Sequence, residues 1–369
     1  MTARALAIVA VLGLVAAGCG GSDSSSANPG GADNAQNDVT TTAGTGDADT
    51  DGADTDGAEA RVAESPGCAA AAPETPGREV RIDLASGGVE RFALVTTPSA
   101  AAESVEPRAL VIDFHGLAEG AEVHARMSQY SELAEQEGFF AVFPQGTGDI
   151  ASWKAGVGGE LNPDHADVEF VTDLLERLGA DHCIDLGSVY ATGLSNGAMM
   201  TSTVGCLLAD RFAAVAPVAG AAFYNDCPST TPMPVYAIHG TQDPLLPFNG
   251  GVGNVGAVIA GGAADQTKVE VDLDGPGYPA ALASWAKHNG CSAEFVDTQI
   301  DTEIIERRWD CPAGAETVFM IVVDGGHSWP SSEFSKSIAA QVGHTTDQLD
   351  GTRDAWEFLR EHHRVIDEA

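Results

Sequence analysis

The chain has 369 residues with 54 acidic against 18 basic side chains, a formal net charge of −36. A polyanion of this kind is repelled by nucleic acid and by anionic membrane surfaces, so neither is an expected partner. Beyond about residue 67 apolar and polar types are well mixed, enough for one large α/β domain with its own core.

Residues 1–18 hold one charge, Arg4, and an apolar run from Leu6 to Ala17. The run is too short to span a bilayer and has the shape of a signal peptide. Val15-Ala16-Ala17-Gly18-Cys19 resembles a bacterial lipobox, with Ala16 where Leu is more usual. Cys19 is therefore expected to be acylated and to become the mature N-terminus, placing the protein outside the cytoplasm, lipid-anchored or secreted. An ordinary cleaved signal with an incidental Cys is the alternative. Residues 19–66 read as an acidic tether of Gly, Ser, Asp, Asn, Thr and Ala with a single base, Arg61. Such a segment cannot bury enough apolar surface to fold, and its charge keeps it extended. Contact with a membrane is expected only through the lipid anchor.

Residues 67–369 form the expected folded domain. Residues 80–84 and 91–95 read as an antiparallel opening pair, 109–114 as a buried strand, 122–137 as a helix and 139–143 as a strand. Residues 166–179 read as a helix that leads to a strand at 188–192 and a helix from 198. Then come 212–218, a strand at 234–239, a helix near 278–289, a strand at 317–323 and a last helix near 347–362. Strands alternating with helices predict a mostly parallel, doubly wound sheet covered on both faces. Ligands gather at the carboxyl ends of such strands. The stretch 248–275 is Gly-rich and acidic and yields no model of its own.

With Cys19 set aside, six cysteines remain, an even number that suggests up to three disulfides in an exported chain. Cys291 and Cys311 flank an expected hairpin, Cys206 and Cys227 lie after elements that flank the 193–197 turn, and Cys68 with Cys183 is left by elimination. None shows metal-ligand spacing with histidines, so no metal is expected, and no organic cofactor either.

Gly193-Leu194-Ser195-Asn196-Gly197 reads G-x-S-x-G between a strand and a helix. That context can hold a serine on a strained turn above a sheet. A serine hydroxyl is a weak nucleophile and needs a base, which needs orienting in turn. Beyond the turn, strand ends offer Asp243 in His239-Gly240-Thr241-Gln242-Asp243 and His327 in Gly325-Gly326-His327. The order Ser195, Asp243, His327 suits nucleophile, acid and base. Asp324 is the rival acid, but it sits too close in sequence to reach the far ring nitrogen of His327. His239 is read as structural. The backbone N–H groups of Asn196 and Leu117 are the expected oxyanion donors, with His115 supporting that loop.

The segments HG (115–116), FPQGT (143–147) with Ser152-Trp153, YATGLSNGAMM (190–200), ADRFAAVAPVAG (209–220), HGTQD (239–243) and GGHSWP (325–330) resemble the polyhydroxybutyrate depolymerase and feruloyl/acetylxylan esterase family. The resemblance spans about residues 68–365. It implies an α/β-hydrolase fold and a secreted serine esterase acting on hydroxyalkanoate or plant-wall esters, with the triad at Ser195, Asp243 and His327. It also implies that Trp153 and Trp329, with His115, line the substrate pocket; read from the residues alone, the two tryptophans can equally be lids on the core. Ala198 replaces a frequent Gly, and Asp167 stands alone where relatives show an acidic pair. Asp167 suits either the rim of the site or a helix N-cap. No spare domain for gripping an insoluble polyester is read in the chain, and a monomer is expected. A peptidase of the same fold, or a catalytically silent binding module displayed on a tether, are the alternatives.

The acidic excess with only four lysines is what a salt-adapted exported protein would show. Because salt screens self-repulsion, the melting temperature is expected to rise from low to molar NaCl; a melting temperature indifferent to salt would refute that adaptation.

Overall fold

The computed structural model describes residues 63–69 and 74–366. The signal peptide, Cys19 and nearly all of the tether lie outside the described residues. Ala63–Ser65, counted above with the tether, join the folded part. Glu64 bridges to Asp185, and buried Ser65 donates through Oγ to the carbonyl of His182 at 2.7 Å.

Runs of β-branched and aromatic residues supply the strands, which join in one ten-stranded sheet of order β1-β2-β4-β3-β5-β6-β7-β10-β9-β8. An antiparallel hairpin, β1 (Gly77–Ser86) and β2 (Val89–Thr97), forms one edge. The centre is parallel, built from β4 (Phe140–Pro144), β3 (Arg108–Phe114), β5 (Ile184–Leu194), β6 (Ala214–Val218), β7 (Val235–Gly240) and β10 (Thr317–Val322). β9 (Ile304–Trp309) and β8 (Phe295–Asp301) return antiparallel at the other edge. This is the expected mostly parallel α/β-hydrolase arrangement.

The period of two along a strand divides the core. On β3, Leu110, Ile112 and Phe114 face one layer and Val111 faces the other. The first layer packs on α3 (Ala166–Asp181), α4 (Asn196–Leu207) and α6 (Tyr278–His288) through Phe170, Leu174, Met200, Val204, Leu282 and Trp285. The second packs on α1 (Ala121–Ser128), α2 (Tyr130–Glu137) and α9 (Arg353–Arg360) through Ala125, Leu133, Trp356 and Leu359. With both faces covered, the central strands can be apolar along their whole length.

Three local differences have physical causes. The expected helix over 122–137 is two helices, because Gln129 takes a left-handed conformation at φ 59° that ends α1 and restarts the chain as α2. No Gly or Pro marks the break, so the sequence pattern runs through it. The last helix begins at Arg353 rather than near 347, since Asp350 Oδ1 accepts the N–H groups of Thr352 and Arg353 at 3.1 and 3.0 Å. Short helices α5 (Val255–Ile259), α7 (Glu333–Ser337) and α8 (Ala339–Val342) occupy loops read without structure.

Disulfides join Cys68–Cys183, Cys206–Cys227 and Cys291–Cys311. They span 115, 21 and 20 residues, and a longer loop loses more entropy on closure. Opening Cys68–Cys183 by Cys→Ala substitution at both positions is expected to cost about 5 kcal/mol, and opening Cys291–Cys311 about 3 kcal/mol. Urea titration of the two double variants checks that order.

Candidate active site

At the carboxyl end of β5 the chain turns at Ser195 and enters α4 at Asn196. Ser195 stands at φ 59° and ψ −117°, outside the region that a side chain ordinarily allows. The turn is held by Ser195 N–H donating to the carbonyl of Val218 at 2.9 Å and by Met199 N–H donating to the carbonyl of Ser195 at 3.0 Å. It lies so close to the end of β3 that a Cβ on Gly197 would stand 2.0 Å from the carbonyl oxygen of Phe114. Only glycine fits there. The Ser195 side chain is partly exposed, as a group that meets a ligand must be.

Two strands over, the loop after β7 carries Asp243, and the loop after the adjoining β10 carries His327. A Cβ on Gly240 would lie 2.3 Å from the carbonyl oxygen of Gly325, so glycine at 240 lets the two loops touch. His327 Nδ1 and Asp243 Oδ2 are 2.7 Å apart, both buried. Asp243 Oδ1 accepts the N–H groups of Leu245 and Leu246, each at 2.8 Å. This fixes the carboxylate and leaves its other oxygen for the imidazole. A ring donating from Nδ1 keeps its Nε2 lone pair free to take a proton. Asp324 turns away instead, its carboxylate 2.8 Å from Lys268 Nζ.

His239 lies under this pair. Its Nε2–H donates to the carbonyl of Leu246 at 2.9 Å and its ring stacks on Tyr278 at 3.6 Å. Burial lowers its pKa to about 4, against the pull of Asp243, so the ring stays neutral and braces the Asp243 loop. The stretch 248–275 crosses the same edge: Gln242 exchanges two hydrogen bonds with the backbone of Val269, at 3.0 and 2.9 Å.

Two backbone N–H groups near Ser195 are left free among the described residues. Asn196 opens α4, so its N–H has no helical acceptor. The turn after β3 approaches Ser195 closely enough that a Cβ on Gly116 would stand 3.7 Å from Ser195 Cβ. In that turn Gly116 N–H is taken by Glu119 Oε2 at 2.6 Å, and Ala118 N–H donates to the carbonyl of Ala151 at 2.8 Å. The N–H of Leu117 has no partner among the described residues. Free N–H groups beside a serine can stabilise an oxygen that becomes negative there.

No family model matches the chain. A protein of Nocardia uniformis subsp. tsuyamanensis that carries the name esterase NocK is 30% identical over 308 residues, covering 77% of this chain and 82% of that protein. The chain belongs to the same esterase family as that protein. It is a carboxylic ester hydrolase. Feruloyl esterase B of Piromyces equi is 27% identical over 230 residues, 59% of this chain and 39% of that protein. The bifunctional acetylxylan esterase/xylanase XynS20E of Neocallimastix patriciarum is 27% identical over 139 residues, 38% and 20% of the two lengths. The chain thus spans less than half of these last two relatives.

Three residues expected in the esterase's substrate pocket are buried. Trp329 is 1% exposed; its ring meets His124 and Tyr130 edge-on, and Nε1–H donates to Thr352 Oγ1 at 2.9 Å. It is a core residue under α1 and α9. His115 is fully buried, accepting Gly146 N–H at Nε2 (2.8 Å) and donating from Nδ1 to the carbonyl of Gly116 (2.7 Å). Burial lowers its pKa to about 4, so it is a neutral pin for the turn. Trp153 is 4% exposed, wedged edge-on against Phe114, and Nε1–H donates to the carbonyl of His115 at 2.9 Å. Its backbone is clamped by the Asn196 side chain, through bonds of 2.7 and 3.1 Å. Large aromatic surface is worth more in the core than at a rim. Asp167 serves neither as rim nor as cap: it accepts Lys154 N–H at 2.7 Å and pairs with buried Arg91 at 2.9 Å, steadying the same loop.

Sequence reasoning missed the cluster below the turn after β3. His124 on α1 lies between Asp113 Oδ1 at 2.7 Å and Glu119 Oε2 at 3.2 Å, with its ring fully buried. The visible signal was Asp113, a carboxylate inside the apolar strand Ala109-Leu110-Val111-Ile112-Asp113-Phe114, which must find a partner once buried.

Gly197→Ala is expected to destabilise the protein by about 3 kcal/mol or more, because backbone must move to admit the methyl group. Chemical denaturation measures it, and a loss under 1 kcal/mol would contradict the close approach of the turn to β3.

Proposed function

We propose that this chain is an exported, lipid-anchored serine esterase in which Ser195, His327 and Asp243 act as nucleophile, base and orienting acid. His327 Nε2 takes the hydroxyl proton as Ser195 Oγ adds to an ester carbonyl, and the N–H groups of Asn196 and Leu117 hold the resulting oxyanion. The imidazolium then gives its proton to the departing alkoxide, leaving an acyl enzyme and a free alcohol. A water, deprotonated by His327, adds to the acyl carbon and releases the carboxylic acid and the Ser195 hydroxyl. Asp243, held by two backbone donors, keeps the imidazole in the tautomer that this sequence of transfers needs.

The observation that carries this reading is the 2.7 Å His327–Asp243 contact at the same carboxyl end of the sheet as a serine in a strained turn with free N–H groups nearby. Acetyl and feruloyl esters of plant-wall polysaccharides are the substrates we favour, from the names of the relatives; hydroxyalkanoate oligomers are the second class to test. Three disulfides suit an oxidising, extracytoplasmic setting, and Cys19 would supply the anchor.

Ser195→Ala and His327→Ala are each expected to lower kcat by about 10³-fold or more, and Asp243→Asn by a comparable amount. Rates on p-nitrophenyl acetate, methyl ferulate, acetylated xylan and hydroxybutyrate oligomers would check the triad and rank the substrates. Full activity in Ser195→Ala would end the proposal.

A further inference from the structure

Beneath the turn that carries Leu117 lies a buried group of three charged side chains which the reaction above leaves unused. His124 bridges Asp113 Oδ1 at 2.7 Å and Glu119 Oε2 at 3.2 Å. The same Glu119 oxygen accepts Gly116 N–H at 2.6 Å. These bonds run unbroken from a strand of the sheet, through a helix, to the backbone of the turn. Asp113 Oδ2 and Glu119 Oε1 have no further partner among the described residues, so the imidazole is the charge that compensates both carboxylates.

Resting on the esterase reading of Ser195, we propose that Glu119 is a positioning residue. Clamped by protonated His124 against Asp113, it occupies Gly116 N–H and so sets the turn with Leu117 N–H directed to the oxyanion. A neutral Glu119 or a neutral His124 would break the bridge and free the turn. A free turn can present either N–H, or neither, when the tetrahedral intermediate forms. The effect falls on the transition state, because the ground-state ester carbonyl carries little charge to lose.

The charge state follows from the surroundings. Burial alone would lower the His124 pKa, but Asp113 and Glu119 outweigh it and raise it to about 10. Burial opposes ionisation of Glu119, yet His124 and Gly116 N–H hold its pKa below the usual carboxylate value. The other titratable neighbours are His115, neutral through burial, and Tyr130 of α2, whose phenol is kept protonated by burial near Asp113. Trp329 closes the remaining side with an uncharged ring edge. For a histidine with a raised folded-state pKa, the stabilisation is complete below the unfolded value of about 6.5 and is lost as pH rises through the folded value. The clamp therefore holds through neutral pH and fails on the alkaline side.

The test compares the full-length enzyme with Glu119→Gln and Ser195→Ala on p-nitrophenyl acetate from pH 6 to 11. Glu119→Gln keeps the shape and one acceptor but removes a charge. Its kcat is expected to fall about 10- to 100-fold with KM changed less than threefold, and its alkaline limb to move to lower pH. An unchanged kcat and limb, or a loss confined to KM, would overturn the positioning role. Activity persisting in Ser195→Ala would instead overturn the underlying esterase site, so the two failures are distinct. Should Glu119→Gln not fold, ¹⁵N chemical shifts of His124 in the wild-type protein decide. Both ring nitrogens protonated at pH 8 support the clamp, and a neutral tautomer at that pH overturns it.

Discussion

The close approach of two backbones governs this molecule. Where β5 turns into α4, Gly197 packs so tightly on the end of β3 that no side chain could stand in its place. In the same turn Ser195 stands at positive φ. The same contact brings the first turn of α4 alongside the turn after β3. One packing constraint therefore joins a strained serine to a turn in which the Leu117 N–H is free, next to the free N–H of Asn196.

Such strain persists only if the surroundings over-determine it. Residues 145–154 do much of that work as a bracket between the two donors. On one side the bracket holds His115 through Gly146 N–H and the Trp153 indole, and Ala118 through the carbonyl of Ala151. On the other it is gripped by the Asn196 side chain. Asp167, paired with Arg91, ties the bracket to α3 and the edge hairpin. The aromatic residues near the site are buried and hold backbone in place. The 248–275 stretch, fastened across the ends of β7 and β10 through Gln242 and Lys268, is placed to shape the rim of the site.

What could be read from the sequence was whatever is local. The alternation of strands and helices, the turn at 193–197 and the strand-end positions of Asp243 and His327 all follow from runs of a few residues. The choice of Leu117 over Gly116 as the free donor depends on Glu119 taking the Gly116 N–H, a contact within one turn that no motif advertised. Trp153 and Trp329 stayed open between pocket and core because a tryptophan beside a functional motif looks the same whether it faces solvent or core; their burial is decided by helices far away in sequence. The break at Gln129 is hidden for a similar reason, since packing of both halves on the sheet, and not a Gly or Pro, imposes it. Asp113 was legible as an anomaly, but its partner His124 lies on another element.

The central claim is that Ser195 forms a covalent acyl intermediate. Rapid mixing with p-nitrophenyl acetate, followed by acid quench and peptide mass spectrometry, tests it most directly. A burst of nitrophenol close to one equivalent per enzyme is expected, with an acetyl group on the peptide that contains Ser195. Steady turnover with no burst and no acyl adduct on that peptide, under conditions where hydrolysis of the intermediate is slowed, would contradict it.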